Sequence, residues 1–261
     1  TSADANKLDV LAKIKQFIDH FVLFNKVIED SAKDTQYIIS KLDSNNMNLY
    51  PLFAKYTSKH FLRSKGDVTI YISATICGGE AFAEEMGIDK DDYAFISVPS
   101  PFPINNRGFY YNPIESFSKS NRDAVLPMFA KEIDTIVDFM TETFGKEVRG
   151  VVHTASFNNA DALMHLSANK QRMEATRDAN AVTKTFDLSK EENRNKILLS
   201  PSMEEGYDLK DELAQFQIIV KTPFGYLGDV IVSKRKMKSP QSYIQDTIIR
   251  IVQAHGRGVR H

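Results

Sequence analysis

The chain has 261 residues, 42% hydrophobic and 26% charged, with 33 Lys and Arg against 34 Asp and Glu for a formal net charge of -1. That length suits one good core plus a smaller unit, and that balance exerts no general pull on nucleic acid, so a polyanion would need a local basic strip. A single cysteine, Cys77, excludes an internal disulfide and a four-cysteine iron–sulfur cluster in this piece, and the lack of a signal peptide or an apolar run of spanning length points to a cytoplasmic protein without membrane contact.

From Ala5 to Asp43 there is no Gly or Pro, and Leu8, Leu11, Ile14, Ile18, Phe21, Val22, Val27, Ile28, Ile38, Ile39 and Leu42 recur at helical spacing. This predicts one long helix or two in a hairpin, with an apolar stripe that needs a partner. Asn45-Asn46-Met47-Asn48 is a polar break, after which Pro51 opens a second predicted helix carrying Leu52, Phe53, Tyr56, His60 and Phe61. Thr69 to Ile76 is β-branched and aromatic before it turns small and polar at Ser73, Ala74 and Thr75, which reads as a buried strand leaving into a loop. Glu80 to Met86 reads as a short helix stopped by Gly87, and Tyr93 to Val98 as another strand. Val98-Pro99-Ser100-Pro101-Phe102-Pro103 is a proline-stiffened connector.

Beyond it the pattern alternates. Helices are expected at Pro127 to Phe144, Phe157 to Leu166 with Ser156 as cap, and Gln241 to Ala254. Strands are expected at Val148 to Thr154, Lys196 to Ser200 and Phe216 to Lys221. This alternation implies an α/β fold, a mostly parallel sheet with helices on both faces. The polar stretch from Asn169 to Asn195, with Arg172, Arg177, Lys184, Lys190 and Arg194, reads as surface. Lys234-Arg235-Lys236-Met237-Lys238 is the densest basic run, either a DNA contact or a solvated loop or hairpin tip.

Two loops carry residues suited to phosphates. After the strand ending at Ser200, the run Pro201-Ser202-Met203-Glu204-Glu205-Gly206-Tyr207-Asp208 places a Gly and an Asp where open α/β sheets bind ligands. After the strand ending at Thr154, a hydroxyl and backbone N–H groups at a helix N-terminus allow Thr154 or Ser156 to contact a DNA phosphate, or simply to cap the helix. At the end of the chain stands Gln253-Ala254-His255-Gly256-Arg257-Gly258-Val259-Arg260. Arg257 and Arg260, three apart, share a helix face, and a planar guanidinium grips phosphate oxygens in pairs. The six histidines show no metal-ligand spacing, and no metal site is expected.

Four stretches in this order resemble superfamily 2 DNA helicases of the XPD/DinG-like family. Ser73-Ala74-Thr75 is similar to motif III, Ser100-Pro101-Phe102 to a segment opening the second motor domain, Glu205-Gly206-Tyr207-Asp208 to motif V, and Gln253 to Arg260 to the Q-x-x-G-R-x-x-R of motif VI. Lys221-Thr222-Pro223-Phe224-Gly225 also resembles a loop of that family, so the likeness runs from about Leu49 to His261. The resemblance implies a RecA-like sheet and three parts: a helical segment at 1–64 (arch-like or the end of a first motor domain), a strand-helix-strand edge of that domain at 65–97, and a second RecA-like domain at 98–261. It implies that Arg257 and Arg260 reach the γ-phosphate of ATP, helped by Gln253. Glu205, Gly206, Asp208 and Gly256 would line the nucleotide, Ser73, Ala74 and Thr75 would couple it to DNA, and Thr154, Ser156, Ser200 and Ser202 would touch DNA.

The cofactors so implied are ATP and Mg2+, bound in the intact protein, the activity is ATP-dependent DNA unwinding, 5′ to 3′, and the partner is single-stranded or forked DNA. No G-x-x-x-x-G-K-[ST] loop and no acidic box is present; Gly145-Lys146 is followed by Glu147. The chain is therefore expected to be a C-terminal portion, inactive without a first RecA-like domain as partner. The rival expectation is a non-catalytic DNA- or protein-binding module from a split or decayed helicase, against which stand the retained Gln253, Arg257, Arg260, Gly206 and Asp208. A dinucleotide enzyme is disfavoured because no G-x-G-x-x-G turn follows a strand.

Overall fold

A computed structural model describes residues 2–31, 37–42, 47–76, 78–145, 148–175, 187, 189–201, 213–256 and 258. The described elements are, in chain order, α1 (Ser2–Ser31), β1 (Tyr37–Leu42), β2 (Met47–Pro51), α2 (Lys55–Phe61), α3 (Gly79–Met86), α4 (Arg122–Phe144), β3 (Gly150–His153), α5 (Phe157–Leu166), β4 (Met173–Ala175), β5 (Ile197–Ser200), β6 (Phe216–Ile219), α6 (Val230–Lys238) and α7 (Pro240–Gly256). The chain divides into two compact units, one of residues 1–97 and 225–245, the other of 98–224 and 246–261.

The second unit is built on a parallel sheet of order β4-β5-β3-β6. Val151 and Val152 of β3 and Ile197, Leu198 and Leu199 of β5 are all buried on both faces, which is why these strands read as unbroken apolar runs rather than alternations. One face carries Val152, Ile197 and Leu199 and packs on α4 through Leu126, Phe129, Ile133 and Val137, and on α5 through Ala160 and Leu163. Each such side chain contributes about 1.5–3 kcal/mol on burial. The ring of Phe216 lies 2.2 Å from where a Cβ of Gly150 would stand, so only glycine lets β6 close on β3 there. On the opposite face Gln217 meets the C-terminal end of α7.

The observed α/β fold, four parallel strands flanked by helices, agrees with a RecA-like architecture. Five local expectations need correction. Residues 37–51 form an antiparallel hairpin instead of helix, with β1 and β2 paired from Tyr37↔Pro51 to Leu42↔Met47; the 38, 39, 42 spacing fits a helix, but Ile38 packs with Leu52 and Phe53 of the other arm. Pro51 accordingly ends β2, and α2 begins at Lys55. Neither Thr69–Ile76 nor Tyr93–Val98 is a buried strand: both lack regular structure, and Val68, Ile70, Ile72, Ile96 and Val98 are 78–91% exposed. A β-branched run becomes a strand only when a neighbour supplies its ladder, and none does among the described residues. The polar stretch after Asn169 is not all surface, since it contains β4 and the buried Arg172. Finally, Lys234 to Lys238 belongs to a helix, α6, capped by Asp229, whose carboxylate accepts from Ile231 and Val232 N–H. In the first unit α3 ends as expected at Gly87, whose φ of 63° only glycine adopts cheaply. No helix among the described residues is long and apolar enough to cross a membrane.

Candidate functional site

The carboxyl ends of β3, β5 and β6 open into a shallow hollow lined by His153, Ala155, Pro201, Ile219, Lys221, Pro223, Arg250 and Ala254. Strand exits in parallel sheets collect ligands because the chain must leave the sheet there, freeing backbone groups and loop side chains. Here the freed groups are cationic: Lys221 follows β6, and Arg250 reaches in from α7, its Nη1 3.5 Å from the Pro223 carbonyl. The Lys221 ammonium also lies 5.4 Å from the centre of the Phe117 ring. Lys221 and Arg250 are the two cations of a lining that is otherwise apolar apart from His153.

The turn from β3 into α5 is fixed from beneath. Asn159 donates to the Thr154 carbonyl at 2.9 Å and accepts from Arg122 Nε at 2.9 Å, and its own N–H donates to the capping Ser156 hydroxyl at 3.2 Å. Arg122 Nη2 holds the Asn158 carbonyl at 2.8 Å. Between strand and cap, Ala155 is held at φ 62°, the left-handed region that a residue with a Cβ seldom occupies. Strain of that kind, on the order of 1–3 kcal/mol, persists where the surrounding bonds over-determine the backbone. Thr154 N–H donates to the Ser200 carbonyl at 3.0 Å, which continues the β3–β5 ladder to the rim.

A polar relay runs across the sheet under the hollow. The Gln217 amide donates to the His255 carbonyl at 3.2 Å, and its oxygen stands 3.0 Å from His153 Nε2. A carbonyl only accepts, so this fixes the orientation of the amide, and His153 must carry its proton on Nε2. One side chain thus joins the floor of the hollow to the last turn of α7, immediately before Arg257. Gly258 lies against Gln217 and the Ala214 carbonyl, toward the amino end of β6, and Gly256 has no heavy atom within 4 Å of where a Cβ would stand.

The amino ends of the strands are closed instead. Arg172 is 9% exposed and donates to the carbonyls of Asn195 (3.0 Å) and Val148 (2.8 Å) and to the Thr141 hydroxyl (2.8 Å). Arg149 is 2% exposed and donates to the Asn193 carbonyl at 2.7 Å. Burial lowers the pKa of Arg149 to about 10 and lowers that of Arg172, where Asp138 opposes the shift. Both guanidiniums stay charged at neutral pH.

Residues 137–261 match the family model of the helicase C-terminal domain. Over that stretch, just under half of its length, the chain is similar to the helicase C-terminal domain family. No curated protein matches the chain. The matched stretch contains the whole parallel sheet, the hollow and α7, so the likeness to a helicase C-terminal domain, and the helicase-associated function it points to, rest on these parts.

Of the residues singled out in the sequence, the matched stretch gathers Thr154, Ser156, Ser200, Gln253 and Gly256 in one unit. Thr154 needs correction as a direct DNA contact: it is 0% exposed, and its hydroxyl donates to the Ser156 carbonyl at 3.1 Å, so it shapes the turn rather than the surface. Ser200 is likewise 4% exposed. Ser156 caps α5 and remains half-buried at the rim. Ser73, Ala74 and Thr75 lie in the other unit, where the Ser73 hydroxyl accepts from Thr75 N–H at 3.2 Å. Glu205, Gly206, Asp208, Ser202, Arg257 and Arg260 lie outside the described residues. The residues missed were Lys221, Arg250, Gln217, His153, Asn159 and Arg122. Two of these left a trace in sequence: Lys221 opens the Lys221–Gly225 loop noted above, and Arg250 stands one helical turn before Gln253 on the face that leads to Arg257.

Proposed function

We propose that this chain is the C-terminal motor portion of an ATP-dependent DNA helicase, with the strand-exit hollow receiving nucleic-acid phosphates and the Gln253–Arg260 tail serving the nucleotide. The observation that carries the reading is a family match over the same residues that build a cationic hollow at the carboxyl edge of a parallel sheet. Lys221 and Arg250 would neutralise backbone phosphates, a sequence-independent attraction that weakens steeply with salt. Ser156 and the N-terminal N–H groups of α5 would take a further phosphate oxygen.

ATP, when bound, supplies the phosphoryl group whose transfer to water releases free energy. Open space beside Gly256 fits the approach of such a ligand to the backbone. Arg257 and Arg260 would hold the γ-phosphate oxygens, Gln253 would order them, and Glu205, Gly206 and Asp208 would border the same nucleotide. The described residues contain no cluster of three or more His, Cys, Asp or Glu able to hold a metal ion, so no step here is assigned to Mg2+. Gln217, bonded to His153 and His255, would carry the state of the hollow to the tail, and Ser73, Ala74 and Thr75 would add a second coupling element.

The test is DNA-stimulated ATP hydrolysis and strand separation by the intact protein. Arg257→Ala and Arg260→Ala should each lower turnover by about 10³-fold or more, the scale of an arginine finger. DNA affinity should hold. Wild-type hydrolysis in both variants overturns the finger assignment, and absence of DNA-stimulated hydrolysis in the wild type favours the non-catalytic binding module.

A further inference from the structure

The first unit is balanced in charge as a whole, but two of its segments are wholly basic. Residues 47–65 contribute Lys55, Lys59, Arg63 and Lys65, and residues 230–245 contribute Lys234, Arg235, Lys236 and Lys238, eight cations without one carboxylate. The fold brings these two segments together. Ile231 of α6 packs on Ile38, Leu52 and Phe53. One turn further along, Arg235 donates to the Leu52 carbonyl at 3.2 Å and pairs with Glu85 at 3.0 Å. The Arg235 guanidinium lies 5.2 Å and the Lys55 ammonium 5.7 Å from the centre of one ring, that of Phe53. Two like charges on a single ring repel, and the Glu85 carboxylate is engaged with Arg235.

Two of these cations are structural: Arg235 as described, and Arg63, which donates to the Gly87 carbonyl at 2.8 Å. The other six, Lys55, Lys59, Lys65, Lys234, Lys236 and Lys238, are exposed. In the same stretch of chain as Lys55, Lys59 and Lys65, Phe61 and Tyr50 are 44% and 43% exposed. Flat rings among flexible ammonium groups suit unpaired bases, which stack on rings while phosphates follow the cations.

We infer that α2 and α6 form a second binding surface for single-stranded nucleic acid, separate from the strand-exit hollow. It extends the nucleic-acid reading above to another unit, and it requires neither nucleotide nor any step of hydrolysis. The six lysines take phosphates without regard to sequence, and Phe61 and Tyr50 take bases.

The experiment is fluorescence anisotropy of a labelled oligothymidylate with the full chain across a salt series. The triple variants K55Q/K59Q/K65Q and K234Q/K236Q/K238Q should each weaken binding on the order of tenfold and flatten the slope of log K against log salt by about 2, from roughly 0.7 per lost contact. The matching Lys→Arg triples should bind like wild type, since charge is kept. Phe61→Leu should cost about tenfold with the salt slope unchanged. Circular dichroism checks that each variant is folded. Wild-type affinity and slope in both Gln triples overturn the inference, as does binding to phosphatidylserine vesicles without binding to the oligonucleotide. Loss confined to K221Q/R250Q also overturns it while leaving the strand-exit reading standing; loss confined to the triples does the reverse.

Discussion

The two edges of one parallel sheet use arginine in opposite ways. At the amino edge, Arg149 and Arg172 are buried, Arg149 donating to the Asn193 carbonyl and Arg172 to the carbonyls of Asn195 and Val148. At the carboxyl edge, Arg250 and Lys221 stand half-buried around a hollow. The lesson is that a guanidinium held by several short bonds to the fold is a fastener, while one that borders a concavity is placed where our proposal puts a ligand. Sequence alone does not separate the two.

The largest expected effect breaks that contrast from the closed side. Arg172→Met leaves two carbonyls and a hydroxyl without their charged donor, and hydrogen bonds to charged groups contribute about 1.5–3 kcal/mol each. Urea unfolding should therefore show a loss of about 3 kcal/mol or more. Arg250→Met should cost less than about 1 kcal/mol. Equal losses in the two variants would erase the distinction between the edges.

A middle-sized effect concerns the link between the hollow and the tail. Gln217→Leu keeps the volume of the side chain and removes both bonds, to His153 and to the His255 carbonyl. In the intact protein the DNA stimulation of ATP hydrolysis should fall by about tenfold, within the usual range of coupling between sites, with the basal rate retained. Unchanged stimulation would show that the relay is only packing.

The smallest effect lies near the closed edge, where the Ser189 hydroxyl and N–H bond to the Asp187 carboxylate and hold its pKa below the usual value. A depressed carboxylate pKa gives stability that is present above the unfolded pKa and is lost as pH falls through the folded one. Ser189→Ala should raise the Asp187 pKa toward 3.8 in an NMR titration, with stability at pH 7 nearly unchanged. A pKa unmoved by the substitution would contradict this.

How much was legible follows from how each element is stabilised. Helix α5 and the capping Ser156 were readable because period and cap are both local. Strands β3 and β5 were readable because burial on both faces leaves an apolar run, and the partly buried edge strand β6 because Phe216, Ile218 and Ile219 still mark it. The hairpin of β1 and β2 was not, since Ile38, Ile39 and Leu42 satisfy either period and only pairing with Met47–Pro51 decides. Helix α6 was hidden by its basic second half, which has no apolar stripe and is held through Ile231 and the bonds of Arg235 to Leu52 and Glu85. The site divided the same way. The tail was visible as a contiguous pattern, whereas Gln217 acquires meaning only from His153 and His255, far off in sequence.

The central claim, that the carboxyl edge of the sheet is an open anion site, is tested most directly by salt-dependent binding of a short single-stranded oligonucleotide to K221Q/R250Q. The account predicts weaker binding and a slope of log K against log salt flatter by about 1.4, two contacts at roughly 0.7 each. An affinity and slope equal to wild type would contradict it.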